Sequence, residues 1–111
     1  LHAAFNFKLS KTNILASQIM KVTLPPILDI HHAAALLENT KSWGDSRGHL
    51  YINASSVERV TTPALQILLA LLTYRRNHRR PASIQAPTDA FIQAIATLGL
   101  EPFFKEHLVH G

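Results

Sequence analysis

The stretch Val57–Leu72, VERVTTPALQILLALL, decides how the rest of the chain is read. It presents two hydroxyls, Thr61 and Thr62, and then a nearly unbroken apolar run. Thr62 followed by Pro63 reads as an N-cap and first helical residue. The threonine oxygen accepts a free backbone N–H, and proline loses nothing where the N–H is unpaired anyway. The helix then runs to about Asn77. At about 100° per residue, Thr62, Gln66, Leu69, Ala70 and Thr73 share one stripe, continued by Arg76 and Asn77. Leu65, Ile67, Leu68, Leu71 and Leu72 are left to face a core. Thr61 and Thr62 flank a positive helix end with open backbone donors, a place suited to a phosphate. The outward strip is partly apolar at Leu69 and Ala70, which suits a docking partner.

Outward from this helix, strands and helices alternate. Met20–Leu24 alternates in polarity and stops at Pro25-Pro26, as a strand does. Asp29 caps a helix to about Ser42, with Ile30, Ala33, Ala34, Leu37 and Lys41 on its inner face. Trp43–Gly48 is a turn cluster. His49–Ala54 is a core strand, Leu50 and Ile52 on one side and Tyr51 on the other. Ser55–Val60 connects it to the main helix. Pro81–Ala86 is a short strand centred on Ile84. Thr88 and Asp89 open a helix that stops at Gly99, the left-handed cap position, with Phe91, Ile92, Ile95 and Leu98 as its apolar stripe. Leu100–Phe104 carries two aromatics onto the core, and Lys105–Gly111 reads as a frayed, polar end. The alternation predicts an α/β layer fold, a mixed sheet flanked by helices with parallel strand pairs. The folded pattern spans residues 20–111; residues 1–19 read as an N-terminal extension or, around Ile14–Ile19, as an edge strand.

Composition narrows the function. The 111 residues suffice for one core, and 47% are hydrophobic against 16% charged, which excludes a disordered chain. The chain has no cysteine, hence no disulfide framework, thiolate metal site or cysteine nucleophile. The longest apolar run, Ala64–Leu72, is about half of the roughly 20 residues that a membrane span needs, so no span is expected. The formal charge of +4 gathers at Arg75–Arg80. That cluster reads as a solvated helix end whose cations complement the dipole. No aromatic platform accompanies it, so nucleic acid is not an expected partner. His31 and His32 diverge on a helix, and His107 and His110 lie near a terminus, so neither a metal nor another cofactor is expected. No Gly-rich phosphate loop, nucleophile elbow or base beside a nucleophile is legible, which argues against an enzyme. Asp29, Asp45, Glu58 and Asp89 read as caps, turns and surface groups.

The order of these segments resembles the STAS domain family, over about Met20–Phe104. That family includes bacterial anti-sigma factor antagonists, cytosolic domains of sulfate transporters and small subunits of phospholipid-transport ATPases. VTLPPILDIHHAAALL, Val22–Leu37, looks like the family's first core strand and helix. LYINASSVERV, Leu50–Val60, is similar to its central strand and following turn, with Asn53 where an Asp often stands. TTPALQILLALL, Thr61–Leu72, resembles its Asp-Ser-Ser-Gly-Leu or Asp-Thr-Gly-Gly-Leu stretch. LGLEPFF, Leu98–Phe104, looks like its closing Leu-Gly-Leu-x-x-x-Phe. The resemblance places Thr62 where antagonists carry the phosphorylated Ser or Thr, and Thr61 where most members have Asp. Pro63 and Ala64 replace the small Ser/Gly-Gly pair. It implies a cytoplasmic, non-catalytic interaction module that docks on a kinase-type anti-sigma factor or related signalling ATPase. The contact would run through Thr61, Thr62, Gln66, Leu69, Ala70 and Thr73, with Thr62 as the candidate phosphorylation site. The alternative is an accessory subunit of an ABC-type phospholipid transporter, with an ABC ATPase as partner.

Overall fold

The structure is a computed structural model and describes residues 19–109. Its elements run β1 (Ile19–Thr23), β2 (Ile27–Leu28), α1 (Ile30–Asp45), β3 (His49–Asn53), β4 (Arg59–Val60), α2 (Thr62–Asn77), β5 (Ala82–Gln85), α3 (Asp89–Thr97), α4 (Glu101–Phe104), a 3-10 turn (Lys105–His107) and β6 (Leu108–Val109). The main sheet has the order β1-β3-β5-β6, and β2 and β4 form a separate two-stranded ladder. Every strand pairing among the described residues is parallel. The helical crossovers impose this, because a helix returns the chain to the end at which its strand began. The expected α/β layering with flanking helices holds. Of the expected edge strand or extension, residues 1–18 lie outside the described residues, and Ile19 opens β1.

In register, Val22 faces Ile52, and Ile52 faces Ile84. These residues line the covered face of the sheet. One core joins Leu50, Ile52 and Ile84 to Leu36 and Trp43 of α1, Leu65, Leu68 and Leu72 of α2, Phe91 and Ile95 of α3, and Phe104. Phe91 and Phe104 meet edge-on, with ring centroids 6.2 Å apart. Burying each such side chain contributes about 1.5–3 kcal/mol. The other face of the sheet is more open, with Lys21 and Thr23 exposed and Tyr51, Asn53 and Gln85 half-buried.

Asp29 caps α1 as expected, accepting the His31 N–H at 3.0 Å. The His32 ring, bonded to the same carboxylate at 2.7 Å, holds Asp29 below the usual carboxylate range. The inner face of α1 is rotated from the expected one. Ala34, Leu37 and Lys41 are exposed, whereas Leu36, Thr40 and Trp43 are buried. The helix also runs through the expected turn at Trp43-Gly44-Asp45. Trp43, the largest apolar group of the segment, sets the phase, and placing it inward swings Leu37 out. Gly44 permits the close approach of α2. A Cβ there would stand 3.2 Å from the Tyr74 ring.

The C-terminal part also departs from expectation. Phe104 is buried, but Phe103 and Leu98 face solvent. The expected frayed end is structured as far as Val109. His107 is buried with Nδ1 donating to Ala82 O at 3.0 Å, and β6 pairs with β5. Thr88 caps α3, accepting from the Phe91 N–H at 3.2 Å while donating to Val57 O at 2.6 Å. Gly99 ends that turn at φ 70°, the left-handed conformation that glycine adopts without strain.

Candidate docking surface

The N-cap of α2 is Thr61, not Thr62. Thr61 lies in extended backbone, and its carbonyl accepts the Leu65 N–H at 3.1 Å. Its hydroxyl does not cap the helix. It donates to Leu28 O at 3.2 Å, and the Thr61 N–H reaches the same carbonyl at 2.9 Å. The β2–β4 ladder supplies that carbonyl and so captures the threonine the cap would have used. Thr62 is the first helical residue and is exposed, and its hydroxyl makes no hydrogen bond among the described residues.

The outward strip is where the spacing put it. Gln66, Ala70 and Thr73 are exposed, while Leu65, Leu68, Leu71 and Leu72 are buried. Leu69 and Ile67 are the exceptions. Both are half-buried and packed on the edge of the core, so Leu69 is not a free knob on the strip. Thr61 is also half-buried. The apolar surface instead lies beside the strip, in an open groove between α1 and α2 of about 630 Å³. Leu37, Pro63, Gln66, Ile67, Ala70 and Tyr74 line it. Leu37 is 50% exposed and Tyr74 40%. The rotated face of α1 thus turns a leucine toward α2. At the far end of the groove, Tyr74 Oη donates to Asp45 Oδ1 at 2.8 Å. That bond holds the phenol protonated to higher pH than usual, with partial burial adding to it.

At the C-terminal end of α2, Arg76 to Arg79 are exposed as a solvated helix end should be, but Arg75 departs from that reading. Arg75 is fully buried. Its Nη1 lies 2.7 Å from Trp43 O, 2.9 Å from Ser46 O and 3.0 Å from Ser46 Oγ. Its Nη2 donates to Gly48 O at 2.8 Å and Pro81 O at 3.0 Å. Among the described residues no carboxylate pairs with it, and Nε has no partner. Carbonyl dipoles at the C-terminus of α1 and in two loops stand in for a counter-ion. Desolvation, with Arg80 nearby, lowers its pKa from the ordinary arginine value.

Beyond Arg75 the chain closes a Schellman turn. Arg79 N–H bonds Arg76 O at 3.0 Å, and Arg80 N–H bonds Arg75 O at 2.8 Å. The left-handed position, usually glycine, is Arg79 at φ 56°. A side chain there costs about 1 kcal/mol relative to glycine. The structure also brings together a serine and a histidine that the sequence did not associate. Ser83 Oγ and His49 Nε2 are hydrogen-bonded across β3 and β5. His49 stacks on Tyr51 with centroids 4.2 Å apart. Burial, and secondarily the Arg75 charge, push the His49 pKa below its ordinary value. Among the described residues no three His, Asp or Glu side chains gather to hold a metal, and no helix is long and apolar enough to cross a membrane.

The fold has a counterpart of known structure. A sulfate transporter family protein from Wolinella succinogenes superposes with a TM-score of 0.65 at 11% sequence identity, covering 82% of this chain and 75% of that one. At this identity the likeness is one of fold, and a parallel sheet flanked by helices in this order is consistent with a STAS-like fold. No family model matches the chain, and no curated protein is detectably similar to it in sequence.

Proposed function

We propose that this chain is a non-catalytic, cytoplasmic interaction module of the anti-sigma factor antagonist kind, which docks on a kinase-type anti-sigma factor or related signalling ATPase. The observation that carries this is the α1–α2 groove, an open apolar surface with an exposed, unengaged hydroxyl, Thr62, on the first turn of the helix that forms its wall. A phosphate on Thr62 would meet the positive end of α2, so the fold tolerates it. It would also add about −1.5 to −2 charges to the edge of the docking surface. Modification would therefore act on the partner and not on the domain.

The His49–Ser83 pair does not argue for catalysis. No carboxylate orients the imidazole among the described residues, so the orienting third member of a catalytic triad is missing there. The test is affinity capture of the full chain with identification of the ATPase retained. A histidine-kinase-like ATPase whose retention fails with Ala70→Glu and weakens with Thr62→Glu supports the reading. Retention unaffected by Ala70→Glu overturns the groove as the contact.

A second reading draws support from the name of the structural neighbour. A domain of this fold in a sulfate transporter family protein fits a transport role, in which the same groove braces an accessory subunit on an ABC-type phospholipid transporter. Recovery of an ABC ATPase in the same capture would favour it.

A further inference from the structure

At the opposite pole of α2, a second pocket of about 420 Å³ opens beside the starts of β3 and β5. Arg76, Arg79, Arg80, His49 and Ser83 line it, with Glu106 as the carboxylate at its edge. Glu106 is already held by Arg76 at 2.5 Å. Arg80 is divided between Gly44 O at 3.2 Å and Asp45 at 3.6 Å. The Arg79 side chain has no hydrogen-bonding or carboxylate partner among the described residues, although the residue occupies a backbone position where glycine is favoured. No side-chain hydrogen bond or ion pair among the described residues accounts for an arginine there, beyond the general complement of a cation to the α2 dipole. Behind the pocket lies the buried Arg75 guanidinium, held by carbonyls and by no carboxylate among the described residues, which bonds Pro81 O in the pocket wall. A buried cation with no counter-ion adds its field to the surface cations, and low-dielectric walls concentrate it.

We propose that this pocket binds a phosphate-type anion, with Arg79 as its principal ligand and Arg76 and Arg80 as flanking cations. A guanidinium offers two parallel N–H donors to a tetrahedral oxyanion, a match that a lysine cannot make. The Ser83 hydroxyl and the His49 ring are further polar groups at the same opening. Free phosphate groups and the headgroups of anionic lipids share this chemistry.

The test is a titration of the full chain with inorganic phosphate at low ionic strength, followed by backbone amide shifts. Saturable shifts at Arg79, Arg80 and Ser83 are expected, with chloride at equal ionic strength producing none. Arg79→Gly should fold at least as stably as the parent, since glycine suits the left-handed position, and should bind phosphate about tenfold more weakly. A parallel arm uses phosphatidylcholine vesicles with and without phosphatidylglycerol. Sedimentation only with the anionic vesicles, competed by phosphate and lost in Arg79→Gly, identifies a lipid headgroup as the source. Phosphate binding without sedimentation identifies a free anion. No saturable shift, shifts reproduced by chloride, or an Arg79→Gly affinity equal to the parent's would overturn the proposal.

Discussion

Helix α2 begins in two threonines and a proline and ends in an arginine that solvent does not reach. At the first end no α2 side chain is indispensable to the helix. The Thr61 hydroxyl is spent on β2, Thr62 is exposed and Pro63 needs no partner. At the other end one guanidinium gathers the carbonyls of Trp43, Ser46, Gly48 and Pro81 and fixes α1, the α1–β3 loop and the start of β5 together. Thr62 and Arg75 are about 20 Å apart at 1.5 Å per residue. The fold is locked at one pole, which leaves the other pole free to change charge without unfolding. The switch proposed at Thr62 would need that division.

The largest expected effect lies at the locked pole. Arg75→Met removes every Nη contact and leaves buried carbonyls without donors, so a loss of about 3–5 kcal/mol is expected by urea titration. Arg75→Lys should recover only part of this, because one ammonium cannot span both sets of carbonyls. If Arg75→Met unfolds at the parent's midpoint, the asymmetry between the poles is wrong.

At the open pole the effect should appear in binding and not in stability. Leu37→Glu places a carboxylate on an exposed groove position. It should leave the urea midpoint within about 0.5 kcal/mol of the parent while abolishing partner retention. Leu69→Glu is the less clean probe, since Leu69 packs on the core and a charge there disturbs the fold itself.

The two threonines should separate next. Thr61→Val removes the hydroxyl bond to Leu28 O and is expected to cost about 1 kcal/mol. Thr62→Ala, whose hydroxyl makes no bond among the described residues, should cost almost nothing in the same titration. The reverse order would return the cap to Thr62.

The smallest effect is one of pH. The His49 pKa is lowered in the folded state, so the unfolded chain binds the extra proton first. The contribution of neutral His49 is fully present above the unfolded value of about 6.5 and is lost as pH falls through the lowered folded pKa. Stability should therefore decline on acidification below about pH 6.5, and His49→Gln should flatten that part of the profile.

Much of the architecture was legible because apolar spacing is a local signal. β3, β5, α2 and the capped ends of α3 follow from patterns within ten or so residues. The phase of α1 did not, since Ala33, Ala34 and Leu37 make as good a stripe as Leu36 and Trp43 until tertiary packing places the tryptophan. Gly44 reads as a turn until its neighbour across the helix pair, Tyr74, is known. The two-residue strands β2, β4 and β6 are too short to carry a period, and β2 decides where the Thr61 hydroxyl goes. The outward strip of the candidate docking surface was readable from α2 alone. The groove beside it was not, because half of it belongs to the misphased helix. Arg75 looked like any other member of a basic run. Its burial depends on carbonyls 27 to 32 residues away along the chain, apart from Pro81.

That dependence has a kinetic side. The acceptors around Arg75 converge only when α1, its following loop and the start of β5 are in place, so the guanidinium is expected to dock late in folding. Interactions absent from the transition state act on the unfolding rate. Arg75 is then a latch more than a nucleus. Weakening it should make the native domain open faster in stopped-flow unfolding, with refolding nearly as fast as before.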